Sequence, residues 1–422
     1  TMECARCHDH KYDEISQKDF FNLFDFFNRL DEDGVISYTD KAPKPNIRLN
    51  SNFIKEELPF IKIPDSISEL DIMVMKEVED LRKTYLLDRG SYDSPTNIEV
   101  KGSMPSAILP FKNNFEKNRL GLSKWLFDPN NPLTARVAIN LLWQQFFGIG
   151  LVSTSSDFGN QGALPTHPEL LDWLSIKYME EGWNTKKMIK RIVMSKTYKQ
   201  SSKPTALKLK IDPKNYYLSH FPRQKLTAEM IRDNILVSSG LFVDKVGGPS
   251  VKPYQPPGLW DELTGGSTTN SLKRYIMSTD GNQYRRSLYT YWKRTAPPPG
   301  MITFDAATRD YCTVERQRTS TPLQSLVLLN DPQVQEAAKY IATSLLSKEL
   351  KSDKEKITHI YRKITGRSPQ KKTLSYLIDY IKEVEKIHLQ EEESIDKFNM
   401  HHKVYTSLSL LIYNLDETSQ KS

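Results

Sequence analysis

The sequence predicts a mainly α-helical, multi-helical protein with a minor β element around residues 284–293. Three observations predict it. Apolar residues recur at three- and four-residue spacing through most of the chain. Helix start and stop signals bracket many of those segments. One stretch, RSLYTYWK, instead alternates and is rich in Tyr and Trp, as a strand would be. A hydrophobic fraction of 38% with 10% aromatics is enough for packed cores and argues against disorder throughout. At 422 residues the chain exceeds one ordinary core, so two or three domains are expected.

Near the start, Phe20, Leu23, Phe24, Phe27 and Leu30 fall on one helical face, and Gly34 ends that helix. From about Ile36 to Pro64 the chain is polar and proline-punctuated, which reads as linker or edge strands. Arg82 and the run Thr84 to Leu87 suggest a strand, and Arg89-Gly90 a turn. A mostly apolar helix follows, capped by Asn131 with Pro132 in its first turn, running to Phe147 and closed by Gly148. Thr166 and Glu169 match a capping box leading into LLDWLS. The segment KKMIKRIVMSKTY places Met188, Ile192 and Met194 or Ser195 on its inner side, and Thr227 and Gly240 bracket another helix.

Beyond the alternating stretch, Pro297-Pro298-Pro299 is a stiff extended segment, and Thr321, Pro322 and Gln324 open an apolar helix. From Pro332 onward three segments show helical periodicity, and EEESIDK reads as a solvated face. Lys and Arg exceed Asp and Glu by only 59 to 52, for a net charge of +7. Nucleic-acid binders concentrate charge far more, so no such partner is expected. No apolar run approaches the roughly 20 residues of a membrane span, and three cysteines make no disulfide framework.

The chemistry is concentrated in a few places. The opening TMECARCHDHKYDEI contains Cys4, Cys7 and His8 in the C-x-x-C-H spacing of c-type haem attachment. Two thiols can add to the two vinyl groups of one porphyrin, and the adjacent histidine can supply the proximal iron ligand. A rival reading has Cys4, Cys7, His8 and His10 together ligating zinc or iron. A third is a redox-inert loop or a local disulfide. On the apolar helix, Arg136, Asn140 and Gln144 recur every four residues, as a solvent face or as the polar wall of a pocket. A loop dense in Asp305, Arg309, Asp310, Cys312, Arg316 and Arg318 lies between the alternating stretch and the next helix. Its arginines suit a carboxylate or sulfate, or else they brace the loop against its own aspartates. No catalytic partner points to Cys312, which reads as a buried small hydrophobe. Tyr254 and Trp260 sit in a proline-stiffened loop that could contact a ligand such as sugar, with packing the plainer reading. The scattered His359, His388, His401 and His402 read as surface or packing residues.

Several long stretches together carry a resemblance: CARCHDHKYDEISQKDFF, NRLGLSKWLFDPNNPLTARVAINLLWQQFFGIGLVSTSSDFGNQGALPTHPELLDWLS, GGPSVKPYQPPGLW, YRRSLYTYWKRTAPPPGMITFDAATRDYCTVERQRTSTPLQSLVLLND and a terminal YNLDE. They resemble the planctomycete cytochrome-associated proteins, large bacterial proteins of unknown function. The resemblance covers nearly the whole chain, with only about Lys41 to Asp71 generic. It implies that residues 1–40 end a cytochrome-associated domain, 41–110 are linker and short strands, and 111–422 are a helical planctomycete-specific domain. It also implies a periplasmic or extracellular location and a sulfatase-like partner protein, and it favours haem c at Cys4, Cys7 and His8. The chain opens inside a motif, so it is expected to be part of a longer one. Three functions follow as expectations. The first is a c-type haem protein exchanging electrons during degradation of an external polymer. The second is a non-redox binding or scaffold protein with a Cys/His metal loop. The third is a hydrolase or lyase acting on anionic polysaccharide through the loop from Asp305 to Arg318.

Overall fold

The structure, a computed structural model, describes residues 2–31, 45–59, 63–260, 275–391 and 396–421. Gly34 and most of the EEESIDK run lie outside these residues, but the helix expected to reach Gly34 already ends at Asp25, and Leu30 instead bridges to Glu77. The fold is mainly α with minor β: fifteen helices and three two-stranded antiparallel sheets are described. The chain divides into two compact units, Thr1–Ile192 and Val193–Ser422.

In the first unit, α1 (Gln17–Asp25) begins at Ser16, whose hydroxyl accepts from the Asp19 amide while the Asp19 carboxylate accepts from the Ser16 amide. Those reciprocal bonds satisfy amides that a helix start leaves unpaired. Strands β1 (Asn46–Asn50) and β2 (Glu69–Met73) form one hairpin-like pair around α2 (Ser51–Glu57). Strands β3 (Thr84–Leu87) and β4 (Pro95–Val100) form another, joined through Arg89 and Gly90, both at positive φ. Phe26, Met104, Leu122 and Trp125 build a small core with α3 (Arg119–Leu126). Asp25 lies buried beneath it, accepting from the Thr84 hydroxyl, the Gly102 amide and Arg29.

Helix α4 (Thr134–Phe147) packs on α5 (Pro168–Glu180). Asn131 is not the N-cap of α4, a position Leu133 holds with no side-chain cap bond, but its Oδ1 accepts from the Leu133 and Thr134 amides in the turn just ahead, and Gly148 closes the helix at φ 85°. The capping box expected at Thr166 does not form. The Thr166 hydroxyl and amide both bond the Leu151 carbonyl, and α5 starts after His167, with Pro168 in its first turn. On α6 (Thr185–Met194), Met188 and Ile192 are buried, whereas Met194, expected on the inner side, is exposed at the helix end and Ser195 just beyond it is half-buried.

The second unit is a helical layer around one core. It runs through α7 (Ala206–Ile211), α8 (Ala228–Ser239), the short α9 (Pro299–Thr303), α10 (Pro322–Asn330), α11 (Pro332–Leu346), α12 (Asp353–Thr365), α13 (Lys371–Glu391), α14 (Lys397–Tyr413) and α15 (Asp416–Ser419). Thr227 and Gly240 bracket α8, and the Thr321–Gln324 box opens α10, as the sequence predicts. Ala337, Ala338, Ile341 and Ala342 on α11 face Val404, Tyr405 and Leu408 on α14 with almost no exposure. The small alanines let the two backbones approach closely while Ile341 and Leu408 fill the space between.

The minor β element around 284–293 takes the form of isolated bridges, with Lys293 also bridged to Ala296, while the two-stranded ladders lie elsewhere. That stretch forms two 3₁₀ turns, Asn282–Tyr284 and Ser287–Tyr289, with single bridges from Arg285 to Val243 and from Thr290 to Val251. The cause is Arg285, which is 2% exposed. Its guanidinium donates to the carbonyls of Lys245, Gly247 and Pro249, while the Ser287 amide donates to Asp233. A buried guanidinium needs those acceptors, and reaching them folds the segment into turns instead of a ladder. Among the described residues of the second unit, the one sheet joins β5 (Gln224–Lys225) to β6 (Gln420–Lys421).

Candidate functional site

The C-x-x-C-H segment forms one short helical turn. A 3₁₀ helix spans Met2–Arg6, and Ala5 is fully buried beneath it, so Cys4, Cys7 and His8 all stay exposed. Cys7 follows directly in the turn after that helix. The two thiols are unbridged.

Neighbouring elements clamp the turn. Gln17 Nε2 donates to the carbonyls of Arg6 and Leu87, at 3.0 and 2.9 Å. The Gln17 amide donates to Asp9 Oδ1 at 2.8 Å. Gly90, at φ +72°, sits so close that a Cβ there would lie 3.0 Å from the Arg6 carbonyl and 3.2 Å from Cys7 Sγ. A side chain at this position would meet both backbone strain and the motif itself.

The two histidines of this loop differ in their free nitrogen. His8 Nδ1 lies 2.6 Å from the Asp9 carbonyl. A carbonyl only accepts, so Nδ1 carries the proton and Nε2 keeps its lone pair for a metal. His10 is the reverse. Its Nδ1 accepts from the amides of Asp13 at 2.9 Å and Tyr12 at 3.3 Å, which puts its proton on Nε2. Asp13 Oδ2 also lies 3.3 Å from this nitrogen, but the amide protons already occupy the lone pair, so an ion pair is not the bond holding it. Among the described residues, no three Cys, His, Asp or Glu side chains converge where one metal ion could sit. Cys4, Cys7, His8 and His10 are therefore near in sequence without forming a four-donor cage.

The arginine-rich loop is held largely by partners within the chain. Arg316 Nη1 donates to both oxygens of Glu229 on α8, at 2.8 and 3.1 Å. Arg318 donates to Gln224, and burial lowers its pKa from the ordinary arginine value. Asp305 accepts from the amide and hydroxyl of Thr319. Arg309 stands apart. Its guanidinium lies 4.5 Å from the Trp292 ring centroid and opens, with Arg294, onto a shallow hollow of about 430 Å³. Asp310 is exposed, and so is Cys312, contrary to the buried small hydrophobe expected. The loop is too polar to cover a core, so its cysteine has none to enter.

The stripe on α4 is neither a solvent face nor a pocket wall. Asn140 is fully buried and clamps Val152, accepting from its amide at 2.8 Å and donating to its carbonyl at 3.0 Å. Gln144 accepts from Ser155, which in turn accepts from Asn140. Arg136 pairs with Asp172 on α5 at 2.6 Å, half exposed. Together these bonds pin the 150–155 loop to α4.

A family model described as PSD1, protein of unknown function (DUF1553), matches residues 118–381. That is more than half of the chain. The chain belongs to the PSD1 family. A second model, PSCyt2, protein of unknown function (DUF1549), matches residues 1–32, which hold the Cys4–Cys7–His8 turn. Both are planctomycete cytochrome-associated domains of unknown function, in agreement with the motif resemblance. No curated protein and no solved structure matches the chain.

Within the PSD1 segment the structure adds a site that sequence reasoning missed. Tyr254, Gln255, Tyr275, Thr290, Arg232 and Asp331 are among the residues around a cavity of about 660 Å³. Burial brings the Arg232 guanidinium down to about 10, although it donates to Gln333, Gln283, Arg285 and Ser287. Desolvation raises the Asp331 carboxyl above its ordinary range even though two helix-start amides point at it. Sequence offered one clue, an arginine inside the apolar run of α8. Trp260, the sugar-contact candidate, is 3% exposed and packs against Tyr275 and Tyr291.

Proposed function

We propose that the N-terminal turn carries a covalently attached c-type haem and that the protein serves in electron transfer outside the cytoplasm. The observation that carries this reading is the nitrogen assignment at His8. Its Nδ1 is committed to the Asp9 carbonyl, which leaves Nε2 free beside two exposed, unbridged thiols. Such a hydrogen bond fixes the tautomer and the ring orientation that a metal-ligating histidine needs. A four-donor zinc or iron loop would also require His10, whose Nδ1 is committed to two backbone amides. When bound, haem supplies one-electron redox chemistry. This chain's own residues do the holding. Cys4 and Cys7 present the sulfurs on one turn, Ala5 anchors that turn, and Gln17 and Gly90 keep it from shifting. The family resemblance adds an exported chain, a sulfatase-like partner and a setting in polymer degradation. In the test, the chain is produced with an export signal and a c-type maturation system. Haem that survives denaturation, and that disappears when Cys4 and Cys7 become Ser, is the expected result. Haem removable by acid–acetone extraction would overturn the reading.

A second reading has its own observation. Arg294 and Arg309 open onto one hollow beside Trp292, Arg309 lies over its ring, and neither has a carboxylate partner among the described residues. Two guanidiniums without a carboxylate partner at an aromatic face suit a sulfated or carboxylated sugar. Replacing both with Gln should weaken binding of a sulfated disaccharide at least ten-fold while leaving the melting temperature unchanged, because exposed arginines add little stability. Unchanged affinity in the double variant would remove this site from consideration.

A further inference from the structure

The 660 Å³ cavity of the second unit has walls of an unusual kind. Pro253, Pro256, Pro298 and Pro299 line it together with Tyr254 and Phe304. Such volume is in the range of small-molecule sites, and flat proline and aromatic faces suit a flat ring. Among the polar groups of the lining, three share a need. Gln255 Oε1 and Thr290 Oγ1 are buried with no hydrogen-bond partner among the described residues. Asp331 Oδ1 accepts from the Gln333 and Val334 amides, whereas Oδ2 has no partner among the described residues. Oδ2 lies 4.0 Å from the point a Cβ would occupy on Gly300, another lining residue. An amide oxygen and a carboxylate oxygen only accept, and a threonine hydroxyl can do either. The groups missing from this cavity are therefore donors.

Charge narrows the class further. The charged lining residues are Arg232 and Asp331, one of each sign, so neither a cation nor an anion gains a net Coulomb attraction. A sugar ring is also a poor match. Most of its hydroxyls would face proline, leucine and methionine, losing hydration without a replacement bond. An apolar ring bearing one or two hydroxyls leaves nothing unpaired on either side. We propose that this cavity binds a neutral aromatic alcohol or phenol, with the ring between the proline and tyrosine faces and the hydroxyl donating to Gln255 Oε1 or Asp331 Oδ2. The terminal amide torsion of glutamine is broad, so Oε1 can swing to meet the donor. This site is independent of the haem reading, since every residue it uses lies between 228 and 334.

Two probes that differ in one group test it on the whole chain: 2-naphthol and 2-methylnaphthalene, titrated by calorimetry. Wild type should bind 2-naphthol about ten-fold or more tightly than 2-methylnaphthalene, the effect of one satisfied buried acceptor. Gln255→Leu or Asp331→Asn, which keeps the cap but removes the Oδ2 acceptor, should shrink that preference, and Leu326→Trp, which fills the cavity from an exposed helix position, should abolish binding of both. Circular dichroism of each variant separates lost binding from lost folding, and having two hydroxyl-site variants keeps the test valid if one misfolds. Absence of saturable naphthol binding to wild type would overturn the proposal. So would equal binding of the two probes, or tighter binding of glucose than of 2-naphthol.

Discussion

At the scale of single residues, the two histidines of the opening loop and Asp331 decide most. His8 and His10 are two residues apart, yet one presents a free Nε2 and the other engages its Nδ1 with backbone amides. His8→Gln should therefore change the axial ligation and the absorption spectrum of the haem-loaded protein, while His10→Asn, which keeps an acceptor near the same amides, should leave the spectrum alone. The opposite pattern would exchange their roles. Asp331 makes a pH prediction. Desolvation raises its folded pKa above the ordinary 3.8, so the native state holds that proton more tightly than the unfolded chain does. The stabilisation from that proton is complete below the unfolded value and is lost as pH rises through the folded one. Wild type should therefore lose stability relative to Asp331→Asn, which keeps the cap, as pH rises from about 3 to about 7. Urea denaturation across that range checks it, and a flat or reversed difference would show that the carboxyl is not desolvated.

At the scale of elements, polar residues inside apolar helices prove to be clamps. Asn140→Ala would leave the Val152 amide and carbonyl without partners and should cost about 1–3 kcal/mol for each unsatisfied group. Arg136→Ala, four residues away but half exposed, should cost at most about 1 kcal/mol. Chemical denaturation of the pair distinguishes a buried clamp from a solvent face, and equal losses would contradict the assignment. Gly150 belongs to the same clamp, because a Cβ there would lie 2.5 Å from Asn140 Nδ2. Where helix signals are local, the sequence is a good guide: Thr227, Gly240 and the Thr321–Gln324 box all act as read. Where a partner is distant, it is not. Thr166 is drawn to Leu151, fifteen residues earlier, and α5 starts later than its box suggests. The alternation of RSLYTYWK has the right period for a strand, but Arg285 is tied to carbonyls some forty residues away and folds the segment into turns. The same limit hid the cavity. Gln255, Thr290 and Asp331 come from three separate segments, and nothing in their local patterns links them.

At the scale of the whole molecule, the fold class was legible because it rests on periodicity repeated along the chain, which survives local errors in any one helix. The motif at Cys4, Cys7 and His8 stands out in the sequence because it sets two cysteines and a histidine at fixed spacing in a chain with three cysteines. Its geometry adds what spacing alone does not: a buried Ala5 beneath the turn, a clamp at Gln17 and a His8 tautomer with Nε2 free. The helical second unit has its own core of α8, α11, α12 and α14, with Ile341, Ile357 and Leu408 at its centre. No helix among the described residues is long and apolar enough to cross a membrane. The central claim is that the opening turn attaches haem, and the most direct measurement is a pyridine haemochrome spectrum. It is taken on protein exported with c-type maturation, after acid–acetone extraction has removed any haem that is not covalently bound. One haem per chain with two thioether bonds is the predicted result, absent from the Cys4→Ser, Cys7→Ser variant. Stoichiometric zinc with no Soret band would contradict it.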